Sequence, residues 1–164
     1  MMTIRILGDP VLREKSERAT KFDENLHTFI KNLTEIMYRD DGVGLAAPQV
    51  GILKRVFVFD DGEGSKAIIN PEIIETSAEM TEIEEGCLSI PDVYANVIRP
   101  KWVRMVYQDE NGEGHEKIFD NYSGRIVQHE SDHLNGILFI DRISNAKKIL
   151  LKPKLNAIKR KSAT

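Results

Sequence analysis

The chain has 164 residues, 41% apolar and 30% charged, with a net charge of −3. That length is one domain's worth, long enough to bury about two-thirds of its unfolded surface, and no stretch reads as low-complexity or disordered. No apolar run approaches the roughly 20 residues of a membrane span, and the start, MMTIRILGDPVLREK, lacks the apolar core and small-residue cleavage site of a signal peptide.

In chain order, DENLHTFIKNLTEIMYRDDG carries Leu26, Phe29, Ile30, Leu33, Ile36 and Met37 at helical spacing. Asp23 is placed to cap that helix and Gly42 stands near its stop. GVGLAAPQVG follows. It formally matches the dinucleotide fingerprint, but it comes after a helix and Pro48 prevents a helix running on from it. A backbone segment that a ligand approaches closely is the better account, with Gln49 offering a neutral amide donor. RVFVFD and KAIIN read as short strands. KWVRMVYQDENGEGHEKIF alternates on both sides of Asn111-Gly112, a hairpin signal. GRIVQHESDHL reads as a second helix, stopped by Asn135-Gly136 in a left-handed turn. GILFIDRI reads as a buried strand. SNAKKILLKPKLNAIKR is a terminal helix that Pro153 is expected to kink or break. Strands, a helix, several strands, a helix and a terminal helix make an α+β fold with antiparallel sheet, in one domain over residues 1–164.

Charge is unevenly placed. Residues 142–164 hold eight of the 23 Lys and Arg and no acid, leaving 15 bases against 26 acids in residues 1–141, a net of −11. A basic tail on an acidic body points to a polyanion such as RNA, or to a solvated helix face. The single cysteine, Cys87, excludes an internal disulfide and fits a reducing cytosol.

QHESDH places His129 and His133 four apart on a helix, where both imidazoles reach one metal, with Glu130 beside them to hold a water. Catalytic metal sites use three protein ligands and keep one position open. No Glu, His or Cys follows His133, and the position where a longer histidine motif continues is Phe139. The third ligand therefore comes from upstream, where His27, His115 and Cys87 are the candidates. Asp132 points off the metal face, and Asp141 lies beyond the helix in the expected strand. His115 sits in a hairpin arm and His27 on the polar side of the first helix. Cys87, in EEGCLSIP at a strand edge, has the convergent setting, and a metal keeps a coordinating thiol deprotonated.

Together GVGLAAPQ, EGCLS and QHESDHLNG resemble, in that order, the three signature motifs of peptide deformylases. GDPVLR, INPEI, IPDVYANVIRP and GILFIDRI extend the resemblance over nearly the whole chain, with the last twenty or so residues loosely matched and Ser123-Gly124 departing from the family's usual residues. The resemblance implies antiparallel sheets around a central metal-binding helix, flanked by an N-terminal and a C-terminal helix. It implies Cys87, His129 and His133 as ligands of one divalent metal, Fe2+ with Zn2+, Ni2+ or Co2+ as replacements. Glu130 is then the general acid/base, and Gln49 and the Leu88 N–H face the oxyanion. Gly44 and its neighbours hold an extended peptide. Val43, Ile83, Tyr122, Arg125 and Ile126 line the methionine pocket, and Arg99 and Asp132 support the metal helix. The implied reaction removes the formyl group from formyl-Met nascent peptides in the cytoplasm, releasing formate. The basic tail adds the ribosome as an expected partner; neither membrane nor DNA is expected. A small metallopeptidase and an inactive nascent-chain-binding module are the competing readings.

Overall fold

The computed structural model describes residues 2–163. The first regular element is α1 (Glu24–Arg39), and the Asp23 carboxylate accepts from the Leu26 N–H at its start. Leu26, Ile30, Leu33, Ile36 and Met37 form its buried stripe. They pack with Val56, Val58 and Ile69 of the main sheet. No regular strand precedes α1 among the described residues. That stretch makes a short 3-10 turn at Pro10–Arg13 and a lone bridge from Glu17 to Lys54.

Two antiparallel sheets follow. The larger has five strands in the order β1 (Gly44–Ala46), β2 (Val56–Asp60), β3 (Ser65–Thr76), β6 (Trp102–Gln108) and β7 (Gly114–Asp120). The smaller is a ribbon of β4 (Met80–Cys87) and β5 (Ile90–Pro100). β1 is short and lies at an edge of its sheet. The β6–β7 hairpin turns through five residues, not two. The Asp109 carboxylate accepts from the N–H groups of Asn111 and Glu113, and Gly112 takes the left-handed φ of +81° that the turn requires.

Helix α2 (Asn121–Leu134) lies against the larger sheet, and every residue from Gly124 to Leu134 is buried. Ile126, Val127 and Leu134 pack onto Phe57, Phe59 and Phe119. Gly124 is needed for that seating, since a Cβ there would lie 2.7 Å from the Phe119 carbonyl oxygen and 3.1 Å from that of Lys101. Gly136 closes the helix with φ +72°.

Two expectations for the C-terminal part are corrected. GILFIDRI is not a strand. It holds a single 3-10 turn at Phe139–Asp141, because the Asp141 carboxylate folds back to accept from the Leu138 N–H and is gripped by Arg13. Its apolar side chains enter a core with Leu7, Leu12, Val93 and Val97. Pro153 does not break the tail, and α3 runs unbroken from Asn145 to Ser162. Proline removes only one N–H, whose acceptor four residues back is the carbonyl of Ile149, a residue 72% exposed. Leu151, Leu155 and Ile158 dock the helix on the same core, and Lys154 donates to the Asp92 carbonyl of β5.

Candidate metal centre

His129 and His133 stand one turn apart on α2, with ring centroids 5.1 Å apart. Cys87 ends β4 and reaches them across the gap between the two sheets, its Sγ 3.4 Å from His133 Nε2. The three ligand atoms all lie within 4.8 Å of one another. Of the upstream candidates, only Cys87 converges. His27 contacts the Glu110 carbonyl, while His115 pairs with Asp109 and stacks on Tyr107 at the hairpin turn. Asp132 turns off the metal face to accept from Arg99 and Arg142.

One carboxylate that the sequence reading missed organises the site. Glu85 accepts from His129 Nδ1 at 2.8 Å, from Arg99 Nε at 2.6 Å and from Arg125 Nη1 at 2.7 Å. The bond at Nδ1 leaves the other ring nitrogen as the lone-pair donor for a cation. Burial alone would raise the Glu85 carboxyl; the hydrogen bonds from His129 and Arg99 reverse that and hold it far below the usual carboxylate range. Two signals were present in the sequence. Glu85 is two residues before Cys87, on the same face of the strand. Arg99 falls on the buried side of β5 with Val93, Ala95 and Val97, where a charge needs a partner.

Glu130 is buried, and its Oε1 has no hydrogen-bond partner among the described residues. Loss of solvent pushes its carboxyl up to about 7. Burial likewise drives His133 well below the ordinary histidine value, leaving a neutral ring. Burial acts the same way on His129, but Cys87 and Glu85 outweigh it and raise that ring well above the usual value. A cation can replace the proton so held. One cysteine sulfur, two imidazoles and an unpaired buried carboxylate oxygen beside them fit a divalent transition metal with an open position.

Gln49 sits in a 3-10 turn, Ala47–Val50, that follows β1. Its Oε1 accepts from the Ala46 N–H, which aims Nε2 at Cys87 Sγ (3.4 Å) and Ser89 Oγ (3.1 Å). Gly44 borders Glu130 directly, because a Cβ there would lie 2.5 Å from Glu130 Oε2. The missing side chain at Gly44 thus makes room for the Glu130 carboxylate.

A cleft of about 480 Å3 opens over the centre. Val43, Gly44, Ile83, Tyr122, Arg125 and Ile126 all line it, as do Gln49, Cys87, Leu88, His129 and Glu130. Arg125 contributes no free charge, since its guanidinium is bound by Glu85, the Val97 carbonyl and Thr81. Ser123-Gly124 lies outside the lining, so that departure acts on helix seating and not on the cleft. A wider groove of about 850 Å3 beside α1 has only exposed charges, Arg5, Glu35 and Arg39, and none of this chemistry.

The polypeptide deformylase family matches residues 1–149. The peptide deformylase of Thermotoga petrophila is 52% identical over 160 residues, covering 98% of each chain. That of Synechocystis is 42% identical over 149 residues, covering 88% of this chain and 80% of the relative. The crystal structure of peptide deformylase from Thermotoga maritima superposes with a TM-score of 0.86 at 53% identity, over 88% of this chain and 98% of that one. One from Plasmodium falciparum gives 0.94 at 42% identity, over 97% and 96%. Likeness at this level spans nearly the whole chain, and the chain belongs to the polypeptide deformylase family.

Proposed function

We propose that the protein is a metal-dependent hydrolase that removes the N-formyl group from the formylmethionine of newly made polypeptides, releasing formate. The observation that carries this reading is the meeting of Cys87 with His129 and His133 beneath Glu130 and Gln49. Cys87, His129 and His133 hold one divalent cation, Fe2+ by family resemblance, with Zn2+, Ni2+ or Co2+ as replacements. Bound there, the cation supplies Lewis-acid polarisation and hydroxide at neutral pH.

The rest is the work of side chains. Glu130 accepts the proton of the attacking water and passes it to the leaving amine, so that water and formamide become formate and a free N-terminus. Gln49 Nε2 and the Leu88 N–H donate to the developing oxyanion; one such donor is worth about 3 kcal/mol. The free edge of β1 at Gly44 aligns an extended peptide. Val43, Ile83, Tyr122, Ile126 and the Arg125 stem receive the methionine side chain. A formyl carbon bears only hydrogen, so a tight site between Cys87 and Gln49 excludes bulkier acyl groups.

The direct test is formate release from formyl-Met peptides by metal-loaded protein under anaerobic conditions. Its absence sinks the reading. No cleavage of unformylated peptides is expected, which separates the protein from a metallopeptidase.

Among the described residues, no helix is long and apolar enough to cross a membrane. The place of action we infer is the cytoplasm, with the ribosome as partner through the basic tail. Lys152 and Lys159 of α3 are exposed, as are Ile149 and Leu150, whereas Lys154 bonds the Asp92 carbonyl of β5. Because α3 helps to cover the core, charge reversal at Lys148, Lys152 and Lys159 is a cleaner test than truncation. Ribosome binding is expected to weaken with salt and with these changes; unchanged binding discards the tail.

A further inference from the structure

A second cavity of about 480 Å3 lies on the outer face of the β4–β5 ribbon, against the start of α3. Glu84 and Tyr94 line both this cavity and the cleft over the metal centre, so the two are neighbours along one strip of ribbon. Alternation along β5 creates the strip: Val93, Ala95, Val97 and Arg99 point inward, while Tyr94, Asn96 and Ile98 point outward. In β4, Glu84 is opposite Asn96 and Glu82 is opposite Ile98. Tyr94 and Ile98 are 59% and 57% exposed. Arg142 and Lys147 stand on the far side of the cavity. Single exposed apolar side chains are ordinary, but two on one ribbon face beside a cavity that shares Glu84 and Tyr94 with the cleft form a track for a chain of mixed character.

The chemistry fixes which chain. A formyl peptide has its reacting end at Cys87, the last residue of β4, and its only continuing end leads away. Going back along β4 from Cys87, Glu85 lines the cleft, Glu84 lines both cavities and Glu82 lines the outer one. We infer that the polypeptide downstream of the formylmethionine runs along β4, over Tyr94 and into this second cavity, so that the protein recognises substrate residues well beyond the first three. The inference rests on the deformylase reading above. At about 3.4 Å per residue, the five steps from Cys87 to Glu82 span about 17 Å, so an extended substrate reaches the cavity only after about five residues.

The experiment compares a three-residue formylmethionyl peptide with the same peptide lengthened to seven residues, using the metal-loaded full chain. Partial burial of one or two side chains in the outer cavity is expected to raise kcat/KM about five-fold for the longer peptide, through KM. Ile98→Asp on the ribbon and Lys147→Glu on the opposite wall each remove that advantage and leave the three-residue peptide unaffected. Equal constants for both lengths in the unaltered protein overturn the inference while deformylation stands. So do variants that depress both peptides alike. No formate from either peptide overturns the deformylase reading and this inference with it.

Discussion

Gly44 is bare because Glu130 fills the space a side chain would take. Gly44→Ala leaves Cys87, His129 and His133 in place and displaces the Glu130 carboxylate. Metal content is expected to hold while kcat falls on the order of 100-fold, the scale of a 1 Å misplacement; unchanged kcat contradicts the placement of Glu130. Glu85 acts through others. It orients His129 and neutralises Arg99 and Arg125, all buried. Glu85→Gln is expected to weaken metal retention about 10- to 100-fold, read by competition with a chelator. Leaving two buried guanidinium groups underpaired also lowers stability by on the order of 3 kcal/mol in denaturant unfolding. A variant that keeps both properties shows Glu85 to be dispensable.

Elements are joined by a few polar clamps and by packing. The turn after α2 is held to the N-terminal segment by Arg13 and Asp141. Burial raises the Asp141 carboxyl, but Arg13 and the Leu138 N–H outweigh it, and its pKa lies below the ordinary 3.8. A carboxyl depressed in the folded state stabilises fully above 3.8 and loses that contribution as pH falls through its folded value. The melting temperatures of the unaltered protein and Asp141→Asn are therefore expected to differ at neutral pH and to converge at strongly acidic pH; a constant gap removes the ion pair as its cause. In α3, packing of Leu151, Leu155 and Ile158 overrides the helix-breaking tendency of Pro153. Pro153→Ala restores the missing bond to Ile149 and is expected to stabilise by about 1–3 kcal/mol. A lower melting temperature would mean that Pro153 has a packing role on its exposed face.

Across the whole molecule, the candidate centre bridges parts that have no common sheet. Cys87 belongs to the ribbon and both histidines to α2, which rests on the five-stranded sheet. A cation bound by all three ligands binds the folded chain and not the unfolded one, so it stabilises by mass action. Chelation is expected to lower the melting temperature, and re-addition of Fe2+ or Ni2+ to restore it. The effect should vanish in Cys87→Ser. A melting temperature indifferent to metal in the unaltered protein argues against a bridging ion.

The sequence determined by itself what depends on neighbours along the chain. Periodicity and capping residues set α1 and α2; the four-residue spacing of His129 and His133 follows from one helical turn, and Gly136 from its stop. The lack of a ligand after His133 directed attention upstream to Cys87. Relations between distant segments had to wait for the tertiary structure. Glu85 became the hub only when β4 was laid across α2, and the room left at Gly44 had meaning only once Glu130 stood beside it. GILFIDRI has apolar residues that suit a strand, yet Asp141 turns the backbone back on itself. Pro153 forbids a hydrogen bond locally, and only packing with solvent on the other side could show that the helix tolerates the loss. Local stereochemistry is written in adjacent residues, whereas burial, partner choice and the shape of a cleft depend on which remote surfaces meet.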